Sequence, residues 1–454
     1  MTDSAAPPEP ASAPDPTAVI KSRSYIALLL LGALIGVPVA TVAYFFLDAV
    51  SKIQTEIFTD LPKDLAFHGE PLWWPLPWLA LSGVLVALAI RYLPGTGGHE
   101  PSEGFKSGGP VQPAELFGIV AAALATLSLG VVLGPEAPLI AIGSGLGVLA
   151  IHLVKRDAPP MAAVVIGAAG SFAAIATLLG SPLVGAFLLM EMAGQGGPMM
   201  EIVLVPGLLA AGVGSLIFVG LNSLTGFGSF SLTVSSIPHV GAPNGVEFLW
   251  AIAIGMGAAV VATGIFKLAT MLRPLVERSR ILLTPVAGLA VAGLAIAFAA
   301  GTGRSSSEVL FSGQSALPSL VQQAAGWTVG ALLLLLICKG LAYAISLSSF
   351  RGGPIFPSMF IGAAGGIALS HVGGLPMIAG AAMGVGAMIA GALKMPFTAV
   401  LLPSLLFVSD AVTLMPLVIV AVVVSYVIAV WIKPSPPPTD APAQVPAPAP
   451  ASHG

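Results

Sequence analysis

The sequence predicts an all-α integral membrane protein, a bundle of many broken helices built on an internal repeat. Three observations predict it. Of 454 residues, 56% are hydrophobic and only 8% are charged, where a soluble domain carries about 25% charged residues. The apolar residues fall into a series of segments near or above the roughly 20 residues needed to cross a bilayer. And two ordered blocks of residues recur in the two halves of the chain. The net charge of −3 argues against a nucleic-acid partner. One Cys and six scattered His offer no disulfide framework and no metal or cofactor site.

Taken in order, residues 1–22 form a Pro/Ala-rich tail without the basic start of a signal peptide, expected to be disordered. A membrane domain follows over 23–433. Its first half, about 24–220, has apolar segments at 24–49, 72–93, 113–133, 138–154, 159–192 and 201–220. Its second half, about 246–432, has them at 246–272, 281–301, 325–350, 356–391, 396–409 and 411–432. Residues 434–454 are a second Pro/Ala-rich tail, also expected to be disordered. Lys21, Arg23 and Lys433 flank the outermost segments, which places both termini in the cytoplasm by the positive-inside rule. "HLVKRD" (152–157) and "RPLVERSR" (273–280) read as loops on that side, and "FTDLPKDLAFHGEPLWWPLPW" (58–78) as an external loop with interfacial aromatics. The 54 Gly and 40 Pro imply interrupted helices. Irregular backbone at membrane depth is tolerated only where protein buries it or water lines it.

The repeat aligns GPEAPLIAIGSGLG (134–147) with GPIFPSMFIGAAGG (353–366). Gly134, Pro135, Pro138, Ile142, Gly143 and Gly147 meet Gly353, Pro354, Pro357, Ile361, Gly362 and Gly366. A second pair follows, with Gly170 on Gly384 and Pro182 on Pro396. Prolines suit the first turn of a helix, so each block starts one. Two such N-termini converging at the repeat interface would present unpaired N–H groups to an anion. Glu136 is the sole ionisable residue of its stretch. An intramembrane acid costs about 2.5–3.5 kcal/mol to insert and is a functional candidate by default. On the first turn, its carboxylate can compete with a permeating anion for the same amides and release them on protonation. It can equally be a plain first-turn acid stabilising its helix.

With these residues in view, the chain resembles the CLC family of chloride channels and proton-coupled chloride exchangers over roughly 24–432. "LGPEAPLIAIG" is similar to the family's gating-glutamate motif, "GGPIFPSMFIGAAGG" to its G-x-F-x-P motif, "GSPLVGAFLLMEM" to its N-A-P-L-A-G segment, and "PGTGGHEPSEGF" (94–105) to its G-S-G-I-P loop. The resemblance implies an inverted-repeat bundle of tilted, broken and re-entrant helices, a homodimer with a pore in each subunit, and location in the cell membrane. It implies that Glu136 is the gate and that Thr96, Gly97, Ala137, Ile355 and Phe356 bind chloride or a similar anion. His99 is a candidate pH sensor and Glu191 a candidate proton relay or a helix-end acid.

Several positions depart from the family. His99 replaces a proline, Pro135 a basic residue, and Pro354 removes one N–H donor. The family's central tyrosine has no match, and Met192 stands where the inner proton-transfer glutamate would be, with Glu191 one position before it. These changes favour glutamate-gated, channel-like or weakly coupled anion transport, with proton-coupled exchange as the alternative and fluoride selectivity a third. Arg351 can raise local anion concentration, and Lys394 can draw anions or simply snorkel. An intramembrane enzyme is disfavoured: Ser144 in "GSG" has no histidine placed to activate it.

Overall fold

The computed structural model describes residues 20–67, 69–104, 109–194, 198–226, 232–234 and 239–432. Apart from residues 20–22, the two expected tails lie outside the described residues. The first seven longer helices are α1 (Arg23–Thr55), α2 (Pro75–Tyr92), α3 (Leu116–Ser128), α4 (Glu136–Val154), α5 (Pro160–Leu179), α6 (Pro182–Met192) and α7 (Pro198–Thr225). Seven more follow: α8 (Gly245–Arg278), α9 (Arg280–Thr302), α10 (Val329–Ser349), α11 (Ile355–Ser370), α12 (Met377–Leu393), α13 (Pro396–Leu406) and α14 (Ala411–Ile432). Among the described residues, nine helical spans are long and apolar enough to cross a membrane.

Packing recurs with a period of seven helices. α4 lies along α5, and α1 lies along both α5 and α7; likewise α11 lies along α12, and α8 along both α12 and α14. Between the sets, α2 packs on its counterpart α9, and α6 on its counterpart α13. Elements that meet their own equivalents are what a two-fold axis requires. The axis also passes between the two G-P loops. The Gly134 N–H donates to the Gly353 carbonyl at 2.7 Å and the Gly353 N–H to the Gly134 carbonyl at 2.6 Å, the reciprocal exchange of an antiparallel pair. α2 and α9 run antiparallel. Glu70, before α2, accepts from Ser306, after α9, at 2.7 Å, while Glu100, after α2, accepts from Arg280 at the start of α9 at 2.7 Å.

The residues that match between repeats are where backbones touch. A Cβ on Gly143 would overlap the Gly170 carbonyl, and one on Gly170 the Gly143 carbonyl. The Gly362–Gly384 pair repeats this between α11 and α12. Small residues let membrane helices approach closely, which is how they gain contact without a hydrophobic driving force.

Two apolar runs divide more finely than the sequence pattern suggests. The 159–192 run breaks at Gly180, whose φ of +65° ends α5 before Ser181 caps α6 by accepting the Val184 N–H at 3.3 Å. In the second half, Lys394 takes the same place at φ +60° and Pro396 opens α13. The 356–391 run breaks after Ser370, and α12 starts past Pro376. Continuous hydropathy hides these breaks because Gly and Pro interrupt the helix without adding charge.

Lys339, in the middle of α10, is fully buried. Its ammonium donates to the carbonyls of Glu308, Val309 and Leu310 at 2.9, 3.0 and 3.1 Å and sits 4.4 Å from the Phe360 ring centroid. A buried charge is tolerated only when its donors are satisfied. This one ties the irregular segment before α10 to the face of α11.

Candidate anion site

The sequence folds the two site loops for the same local reason. Pro135 and Pro354 occupy the caps of α4 and α11, with φ of −83° and −94°. Neither supplies a side-chain cap. The first N–H groups of both helices are therefore left for other acceptors. The Gly134–Gly353 pair fixes these two tips against each other.

Glu136 is fully buried, and its Oε1 accepts from the Phe356 N–H at 2.8 Å. An acid from the first tip thus occupies an amide of the second. Its Oε2 is buried with no hydrogen-bond partner. A Cβ on Gly353 would overlap Oε2, and one on Gly134 would also collide with the carboxylate. Both glycines are needed to make room for it. Behind α11, the Tyr343 hydroxyl donates to the Pro354 carbonyl at 2.8 Å and lies 3.2 Å from the Ser358 hydroxyl.

Beside the two helix tips lies a cavity of about 840 Å³. Thr96, Gly97, His99 and Ala137 line it, with Arg351 and Gly352. The structure therefore gathers Thr96, Gly97, His99 and Ala137 on the cavity wall and Glu136, Ile355 and Phe356 in the closed zone at the tips. Thr96 sits in a turn where four successive residues have positive φ: Gly95 +80°, Thr96 +48°, Gly97 +74° and Gly98 +94°. Such backbone turns N–H groups toward a common side and suits anions. His99 is exposed, with Nε2 3.2 Å from the Gly104 carbonyl oxygen.

Glu191 stands apart from the cavity. Its two oxygens accept from the Phe397 and Thr398 N–H groups at 2.7 and 2.6 Å, so it caps α13, its own helix's counterpart. The next residue, Met192, about 100° round the helix, does line the cavity. Ser144 lines it too, accepting the Val111 N–H at 3.2 Å. Lys394 sits at the α12–α13 break rather than in the cavity lining.

Sequence reasoning missed Glu115. It lies in the cavity wall, its carboxylate accepting the Gln112 N–H at 3.1 Å. An acid three residues after Gln112, just ahead of an apolar run, was a capping signal in the sequence, but nothing there placed it beside Thr96. Tyr343 was missed because it is 11 residues from Pro354 and on a different element.

A family model described as "Voltage gated chloride channel" matches residues 13–205 and 80–430. The chain belongs to the CLC family. The "Putative ion-transport protein YfeO" of Salmonella choleraesuis (strain SC-B67) is 30% identical to this CLC protein over 362 residues, 78% of this chain and 84% of the relative. Among solved structures, the fold matches a slow cyanobacterial Cl−/H+ antiporter with a TM-score of 0.71 and 20% identity, covering 89% of this chain and 94% of that one. It matches a CLC-type fluoride/proton antiporter with a TM-score of 0.64 and 19% identity, covering 89% and 95%. The all-helical inverted-repeat fold expected from the sequence is the one present. This CLC protein is a multi-pass membrane protein of CLC-type anion transport.

Proposed function

We propose that this CLC protein exchanges chloride, or a small anion like it, for protons across the membrane, with Glu136 as the gate. The observation that carries the reading is the Glu136 carboxylate on the Phe356 amide. A carboxylate there stands in for the anion, since both are negative acceptors competing for one helix-terminal donor. Once protonated, the acid loses its advantage and yields the amides of Ile355 and Phe356 to the anion, while Ala137 offers the opposite helix tip. Thr96 and Gly97 would receive the anion at the cavity wall. The proton that frees the site is given up when the anion has left and the carboxylate returns to the amides, and release on the opposite side couples the two fluxes.

Exchange is favoured over the channel-like reading expected from the sequence for two reasons. Glu136 is buried on the Phe356 amide beside the cavity, which fits an alternating device closed on one side. The folds it matches are those of a Cl−/H+ antiporter and a fluoride/proton antiporter. Weakly coupled, channel-like flux is the second reading. It is favoured by Met192 lining the cavity where the family pattern has an acid, and by Glu191 being engaged as a cap. The family pattern further supports a homodimer, and Lys21, Arg23 and Lys433 support cytoplasmic termini.

Purified protein in liposomes separates the readings. With a chloride gradient imposed and proton movement recorded beside chloride efflux, exchange predicts protons driven uphill by chloride. Chloride efflux with no proton movement would establish the channel-like reading instead.

A further inference from the structure

The turn that carries Thr96 contains a conformational problem. A β-branched residue at φ +48° lies in a region such residues rarely adopt, and holding it there is costly. The turn's own Gly98-to-Gly95 hydrogen bond, 2.8 Å, closes it but involves glycines alone. The support for Thr96 comes from the other repeat. Arg351 Nε donates to the Thr96 carbonyl at 3.3 Å. A Cβ on Gly97 would come within 3.2 Å of the Arg351 Cγ, so the arginine's stem fills the space under the turn. Arg351 is buried, yet it also lines the cavity. It stands two residues before Gly353, on the loop that presents the Phe356 amide.

We infer that Arg351 is a positioning residue that holds the Thr96 turn in register with the second helix tip, and so sets which anion the cavity accepts. The inference rests on the transport reading above and deepens it. Arg351 is itself held. Its Nη2 donates to Glu100 Oε1 at 2.9 Å, and Arg280 reaches the same oxygen at 2.7 Å. Arg273 pairs with Glu100 as well, and with Glu103 and Glu277, each at 2.8 Å. Burial pushes the Glu100 carboxyl up, but hydrogen bonding from Arg280 and the charges of Arg351, Arg273 and Arg280 more than offset this and hold it below its ordinary value. Three arginines therefore face three glutamates. Arg351 is not a free cation that concentrates anions; it is the last link of a neutral lattice running from the α8–α9 junction to Thr96.

Geometry separates this role from a charge role. Lysine keeps the charge but lacks the planar fork that reaches Thr96 and Glu100 together. Arg351→Lys, Arg351→Gln, Glu100→Gln and the Arg351→Gln/Glu100→Gln double variant are compared with wild type in liposomes, measuring efflux of chloride, bromide, nitrate and fluoride. Thermal melting in detergent is recorded alongside. The inference predicts that both Arg351 variants shift the chloride-to-nitrate and chloride-to-fluoride flux ratios by about fivefold, the size expected for loss of one ordinary hydrogen bond. Glu100→Gln, which leaves Arg351 itself in place, shifts the ratios the same way. The double variant shifts them no further than Arg351→Gln, because the residues act in one chain. A purely structural role would lower melting temperature and all fluxes together with the ratios unchanged, and that result overturns the inference. So does a full shift in Arg351→Gln with none in Arg351→Lys, which would assign the effect to charge. Absence of anion flux in wild type defeats the transport reading and the inference with it; normal wild-type flux with unaltered ratios in the Arg351 variants defeats the inference alone. Should Arg351→Gln not fold, Arg351→Lys and Glu100→Gln carry the same comparison.

Discussion

The Glu136 carboxylate accepts from the Phe356 main-chain N–H and sits in space that two glycines leave open. Hydrogen bonds to charged groups contribute about 1.5–3 kcal/mol, so protonation is a sufficient trigger for release. Glu136→Gln keeps the size of the side chain and removes its charge. Anion flux in liposomes should then lose its dependence on pH, and a wild-type pH profile in the variant would refute the gating role. Gly353→Ala asks the same question from the other side. Its added Cβ would overlap Oε2 while the backbone there lies outside the positive-φ region. Displacing the acid sterically should flatten the pH profile as the glutamine does. If Gly353→Ala retains the full response, the carboxylate does not work from this seat. Glu136 was legible in the sequence because it is the one acid in an apolar stretch with a proline on either side. Its partner Phe356 was legible through the repeat. Glu191 was only half legible: nothing in the residue pattern showed which side of its helix faced the cavity or that α13 lacked a side-chain cap of its own.

At the scale of elements, the close glycine pairs and the buried lysine do different jobs. The pairs set how near α4 comes to α5 and α11 to α12. Lys339 fastens an irregular segment that has no helix of its own to satisfy its carbonyls. Replacing it by methionine keeps most of the bulk but strands three carbonyl acceptors. The cost should be about 3–5 kcal/mol, as when one partner of a buried charged cluster is removed. A clear drop in melting temperature in detergent checks this, and an unchanged melting temperature would show that water or neighbouring groups replace the ammonium. The lysine's cage could not be read from the sequence, since a lone lysine in an apolar helix looks the same whether it snorkels or is caged. The breaks at Gly180 and Lys394 were likewise obscured. Hydropathy averages across them, and Lys394 holds a conformation that glycine would advertise.

For the whole molecule, the repeat was the most legible feature and the seam the least. Gly143, Gly170, Gly362 and Gly384 revealed two related halves because close packing needs glycine in both. The hydrogen bonds between Gly134 and Gly353 left no mark, because any residue's backbone can make them. Since α2 meets α9 and α6 meets α13, each half has a surface ready for the other. Two separate chains divided between Thr225 and Gly245 should therefore assemble when produced together and move anions in liposomes, while either alone should not. Transport by a single half would show that the opposite tip is dispensable.

The bond between Gly134 and Gly353 joins points far apart along the chain, so it belongs among the last contacts that synthesis permits. Until the later loop emerges, the acid of the first half has no amide waiting for it. On the gating role proposed above, the anion's seat and the acid that fills it come into being in the same act of closure.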